Sequence, residues 1–74
     1  MVFEKIREII ADKLEIEEAQ VQETSSFSDM QVDSLYMVEI MLSIEETFGI
    51  TIDDASGMET VGDLCVYVEN KIKK

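Results

Sequence analysis

One serine stands between an aspartate and a leucine, Asp33-Ser34-Leu35, where a helix-period pattern begins. A helix N-terminus presents free N–H groups and a partial positive charge, which suit a phosphate. Read plainly, the same serine is an N-cap whose oxygen accepts from the first turn. It has no base to activate it. The chain contains no His, so Ser-His-Asp triads, imidazole catalysis and His-ligated metals are excluded. Its single cysteine, Cys65, permits neither an internal disulfide nor a Cys₄ zinc site, and one lone thiol fits a reducing compartment such as the cytoplasm. An EF-hand fails as well: with Gly57 at the sixth position, Ile52 falls where the first acid belongs. Loose cation binding by Asp53, Asp54 and neighbouring acids remains, as relief of repulsion only.

The elements that must carry these groups are few. With 74 residues, the chain is expected to form one domain, residues 1–74. A chain this short buries only about 60% of the surface it exposes when unfolded. Hydrophobic residues make up 46% of it, too many for a disordered acidic tail. No apolar run nears the length of a membrane span, and Glu4, Lys5, Arg7 and Glu8 interrupt any signal-peptide core. Seventeen acids against six bases give a net charge of −11, which argues against nucleic acid as a partner.

The placement of charge is sharper than its total. Lys5, Arg7 and Lys13 lie near one end, and Lys71, Lys73 and Lys74 at the other; between Glu15 and Asn70 there is no base. Helix surfaces usually mix signs to gain i,i+4 pairs. Giving these up favours a use such as docking to basic partners over solubility alone.

Periodicity predicts an all-α chain. A first helix spans roughly Val2 to Leu14, with Phe3, Ile6, Ile9, Ile10 and Leu14 at 3–4 spacing. Residues 15–33 form a long polar connection, with Phe27 as the best plug for the core. A second helix is expected from Ser34 to Phe48, capped by Asp33 or Ser34 and stopped by a left-handed Gly49. Residues 50–58 leave room for one helical turn. Thr60-Val61-Gly62-Asp63 reads as a capping box opening a last helix, whose face carries Val61, Leu64, Cys65, Val68 and Ile72. Cys65 is therefore expected to be a buried, unreactive thiol. The architecture is a small all-α bundle: three main helices and a short fragment of about one turn between the last two.

The second helix carries two apolar stripes. At about 100° per residue, Met37, Ile40, Met41, Ile44 and Phe48 form one face, an ordinary core stripe. Leu35, Val38 and Leu42 form another, bordered by Ser34 and Glu45 on one side and by Glu39 and Glu46 on the other. These three are either further core or an exposed strip rimmed by carboxylates, suited to a partner groove ringed by Lys and Arg.

Asp33-Ser34-Leu35, Val38-Glu39, Ile44-Glu45-Glu46 and Phe48-Gly49-Ile50 together resemble the acyl carrier protein family. The likeness covers essentially the whole chain. It implies a four-helix bundle that is no enzyme but a substrate of other enzymes. It implies a 4′-phosphopantetheine arm on Ser34, flanked by Asp33 and Leu35, transferred from coenzyme A by a magnesium-dependent holo-carrier synthase. The arm's thiol would hold acyl chains as thioesters and move them, as a monomer, between enzymes of fatty acid synthesis. The resemblance assigns partner docking to Leu35, Val38, Glu39, Leu42, Glu45 and Glu46. It assigns an acyl pocket to Phe27, Ile40, Met41, Ile44 and Met58. Three features depart from the family pattern. Tyr36 stands where many bacterial carriers have an acid or small polar residue, Gln31 where a Gly is common, and the stretch from Ile52 to Val61 is shorter and lacks a Pro. A carrier for polyketide, D-alanyl or another dedicated acyl group shares the same residues. An acidic calcium-binding module and a hydrolase are rivals from other classes; the first lacks a ligand loop and the second a nucleophile–base pair.

Overall fold

The computed structural model describes residues 2–53 and 57–73. Within them lie three α-helices, α1 (Val2–Leu14), α2 (Ser34–Phe48) and α3 (Val61–Ile72), and a 3₁₀ turn at Glu18–Gln20. The bounds of α1 and α2 and the start of α3 agree with those read from periodicity and caps. The 3₁₀ turn was not expected. The one-turn third helix expected within residues 50–58 does not appear at 50–53 or 57–58, and residues 54–56 lie outside the described residues.

Helix α1 buries Ile6, Ile10 and Ala11 and packs against both α2 and α3. It ends without a glycine. Glu15 takes a left-handed φ of 58°, the Glu15 N–H donates to the Asp12 carbonyl (3.4 Å), and the Ile16 N–H donates to the Ala11 carbonyl (3.0 Å). This double bond pattern closes a Schellman stop. Helix α2 stops as expected, with Gly49 at φ 67° and the Gly49 and Ile50 N–H groups both donating to the Glu45 carbonyl. Helix α3 opens on a reciprocal box: the Asp63 N–H donates to the Thr60 hydroxyl (3.2 Å), and the Thr60 N–H donates to the Asp63 carboxylate (3.2 Å).

The core joins all three helices to the long connection through Ile6, Ile10, Val21, Phe27, Ile40, Ile44, Val61, Leu64 and Val68. Phe27 is buried, as expected of a plug. Its N–H donates to the Glu59 carbonyl (3.0 Å), while the Val61 and Gly62 N–H groups donate to the Ser25 and Glu23 carbonyls (2.9 and 2.8 Å). A single antiparallel bridge, Ser26 to Thr60, completes this stitch. Gly62 is needed there, because a Cβ would sit 3.0 Å from the Glu23 carbonyl oxygen. Ile72 departs from the expected core face of α3: it is exposed, whereas Val68 one turn earlier is fully buried.

Candidate functional site

Asp33, not Ser34, caps α2. Its carboxylate accepts from the Tyr36 N–H (3.0 Å) and its carbonyl from the Met37 N–H (2.9 Å). Ser34 is thereby the first helical residue. It is exposed, and its hydroxyl has no hydrogen bond among the described residues. The Ser34 and Leu35 N–H groups precede the first bonded amide, so they belong to the free donors that every helix start leaves. A phosphate on the Ser34 oxygen would lie in solvent beside these donors, at the positive end of α2. The residues fit such a group: an unencumbered hydroxyl, open N–H groups and no acid in the first turn. The capping carboxylate of Asp33 is already engaged with Tyr36.

The two apolar stripes of α2 separate cleanly. Ile40 and Ile44 are fully buried, whereas Leu35, Val38 and Leu42 are 68%, 55% and 54% exposed. The three therefore form a strip on the surface and not a second core face. Glu39 and Glu46 beside them are exposed, and Glu45 is half-buried. Between the strip and the core stripe runs an open groove of about 410 Å³, lined by Ser34, Met37, Val38, Met41, Leu42, Glu45 and Ile52. Of the residues expected to line an acyl pocket, Met41 alone lines this groove. Phe27, Ile40, Ile44 and Met58 belong to the closed core.

Ile52 forms the far lip of the groove, and two contacts fix it. Its N–H donates to the Glu45 carboxylate at 2.7 Å. The next residue, Asp53, donates its N–H to the Tyr67 hydroxyl (3.2 Å) and pairs with the Lys71 ammonium (3.2 Å), which also lies over the Tyr67 ring. The hydrogen bond it donates to the Asp53 carboxylate, together with that carboxylate's charge, holds the Lys71 ammonium above its ordinary pKa. Nothing in the sequence pattern announces a Glu and an amide seven residues apart closing on each other, and sequence reasoning missed this contact.

A second cleft lies on the other side of the start of α2, lined by Leu14, Ile16, Gln20, Asp29, Met30, Gln31 and Tyr36. Gln31 takes a left-handed φ of 60° here, the conformation that a glycine supplies without strain. Cys65 is buried as expected; desolvation, then the charges of Glu23 and Glu69, push its thiol up to about 11, so it is neutral and unreactive near neutrality. Of the two acids considered for loose cation binding, Asp54 lies outside the described residues, and Asp53 is engaged with Lys71. No group of three or more potential metal ligands occurs among the described residues. No helix among them is long and apolar enough to cross a membrane.

An exposed serine at a helix start, beside a groove and inside a small helical chain, defines a class of protein that comparison makes explicit. The model of the phosphopantetheine attachment site family matches residues 4–68, and the chain belongs to that family. Its relatives narrow the class. The chain is 43% identical over 72 residues to an acyl carrier protein of Streptococcus pyogenes serotype M3, covering 97% of both chains. It is 40% identical over 72 residues to one of Streptococcus pneumoniae serotype 4, again covering 97% of both. It is 42% identical over 69 residues to one of Lactococcus lactis subsp. cremoris, covering 93% of this chain and 94% of the relative.

Proposed function

We propose that the whole chain, residues 1–74, is one acyl carrier domain that bears 4′-phosphopantetheine on Ser34 and carries acyl chains between enzymes of fatty acid synthesis in the cytoplasm. The observation that carries this reading is the free Ser34 hydroxyl at the open N-terminus of α2, within the matched family region. When bound, the group supplies a terminal thiol that holds an acyl chain as a thioester. The chain's own residues do the rest. The first N–H groups of α2 offset the charge of the phosphodiester. Asp33 keeps the helix start ordered without engaging the serine. The protein is a substrate of the holo-carrier synthase and contributes no catalytic residue, which agrees with its lack of His.

The strip of Leu35, Val38 and Leu42, rimmed by Glu39, Glu45 and Glu46, is the docking face in this reading. Apolar exposure rimmed by a single sign of charge suits enzyme surfaces whose apolar grooves are ringed by Lys and Arg. Steered, short-lived encounters suit a monomeric shuttle that must leave as readily as it arrives. The groove beside Ser34 is the entrance for an acyl chain. Met37 and Met41, whose unbranched thioethers repack easily, would shift to admit it toward Phe27, Ile40, Ile44 and Met58. A short third helix between α2 and α3 would make the bundle four-helical.

The test is direct. Protein incubated with coenzyme A, magnesium and a promiscuous holo-carrier synthase should gain the mass of one arm, and Ser34→Ala should gain none. Addition to the alanine variant would overturn the assignment. The acyl groups found on Ser34 in the native cell decide between fatty acid synthesis and a dedicated pathway.

A further inference from the structure

Glu45 stands at a junction that its role as a docking acid does not use. Its backbone carbonyl accepts the Gly49 and Ile50 N–H groups, and its carboxylate accepts the Ile52 N–H at 2.7 Å. One residue of α2 thus holds the chain that follows it through three hydrogen bonds. The carboxylate bond is the one that reaches Ile52, which faces Met37, Val38, Met41 and Leu42 across the groove. On the wheel Glu45 lies about 20° from Ser34, between the exposed strip and the buried stripe. It is half-buried, so one carboxylate can face the docking strip and the Ile52 amide at once. A charged acceptor makes the stronger kind of hydrogen bond, and an amide left without it would have to find water.

We infer that Glu45 is a positioning residue: its carboxylate holds Ile52 as the lip of the groove beside Ser34, and a cation of a docked enzyme that pairs with Glu45 releases Ile52 and opens the groove. The same carboxylate cannot serve both partners with full strength, because a guanidinium or ammonium draws its lone pairs away from the amide. Docking and access to the groove are then coupled through one side chain, and linkage makes the coupling reciprocal. A guest that forces Ile52 outward frees Glu45 for a basic partner, so a loaded groove favours docking. The second clamp, Asp53 on Tyr67 and Lys71, anchors the far side of Ile52 to α3. The movement is therefore confined to the segment between Glu45 and Asp53.

The role of the groove rests on the proposed carrier function, but the hold of Glu45 on Ile52 does not, and the experiment separates the two. Amide hydrogen exchange of Ile52 is measured in the unmodified protein and in its Glu45→Ala and Glu45→Gln variants. The alanine variant should exchange at Ile52 about tenfold faster or more. The glutamine variant, which keeps an acceptor oxygen, should stay close to the parent. Exchange at Ile44 and Val68, in the core, should be the same in all three. Equal Ile52 rates in the parent and the alanine variant would overturn the inference. A hexa-arginine peptide, used as the cationic probe, should speed Ile52 exchange in the parent and leave the glutamine variant nearly unaffected. A peptide that shifts the Glu39 and Glu46 resonances while Ile52 exchange stays constant would also overturn it. In a third arm the octanoyl-loaded carrier is treated with hydroxylamine, and Glu45→Ala should release the acyl group several-fold faster than Glu45→Gln; equal rates would refute the link to the groove. If no arm can be attached at Ser34, the carrier reading fails on the mass measurement, and the exchange results still judge the hold of Glu45 on Ile52.

Discussion

Helices α2 and α3 are close in length and serve opposite ends. Helix α3 is finished at both termini: a reciprocal Thr60–Asp63 box at its start and Lys71 in its last turn, where a cation suits the dipole. Helix α2 has a one-way cap from Asp33, no acid in its first turn and no base in its last. Helix α3 leaves Val66 and Ile72 exposed, whereas α2 exposes the contiguous strip of Leu35, Val38 and Leu42. Every acid on α2 lacks an ion-pair partner among the described residues, while Lys71 of α3 is paired with Asp53. The lesson is one of allocation. The α3 side carries the devices that stabilise a fold. The α2 side forgoes them on the face that the proposed function gives to a phosphate, a guest and basic partners.

The largest expected effect tests whether the two stripes of α2 differ as much as their exposure implies. Ile44→Ala should destabilise by about 2–5 kcal/mol, and Leu42→Ala by no more than about 0.5 kcal/mol, in urea unfolding followed by circular dichroism. Similar losses would mean that the strip is part of the core after all. A smaller effect probes the finish of α3. Thr60→Ala should cost about 1 kcal/mol, a fall of roughly 4–8 °C in Tm. The Asp63 half of that box is pH-dependent. Hydrogen bonds from the Glu59 and Thr60 N–H groups hold its carboxyl below the ordinary range, so its contribution is complete above the ordinary aspartate pKa and disappears as pH falls through the depressed one. The Tm gap between the parent and Asp63→Ala should therefore close as pH drops from neutrality to about 2. The smallest effect lies just before α2. Gln31→Gly should raise stability by about 0.5 kcal/mol, since relief of a left-handed side chain is partly offset by glycine's greater unfolded-state freedom.

Much of this was legible in the sequence because it rests on side-chain identity. Gly49 marks the end of α2, Asp33-Ser34 and Thr60 mark the starts of α2 and α3, and apolar spacing picks out Ile6, Ile10, Ile40, Ile44, Leu64 and Val68. Phe27, in a polar stretch with few apolar anchors, was the best candidate for a plug. What escaped depends on groups that every residue possesses. The stitch of Glu23 and Ser25 to Gly62 and Val61 uses backbone N–H and C=O alone. The end of α1 uses a left-handed Glu15, where no glycine or asparagine signals it. In the candidate site, the Asp33-Ser34-Leu35 motif and a second apolar stripe on α2 were readable from motif and wheel, but the exposure of that stripe was not. The groove was not, because Ile52 reaches α2 only through a contact between the Glu45 side chain and a backbone amide.

The stitch has a further consequence. Chain leaves the body of the protein at Ser25 and returns at Val61, and hydrogen bonds tie those two points together. Everything from the plug through α2 to the lip of the groove is one excursion with a shared base, like a bight of rope clamped at its neck. Local opening at the lip of that excursion need not undo the stitch or the contact between α1 and α3. In the proposed carrier role, a lip held in this way would yield to a cargo while the clamp at the neck, and the helices behind it, keep the register to which it returns.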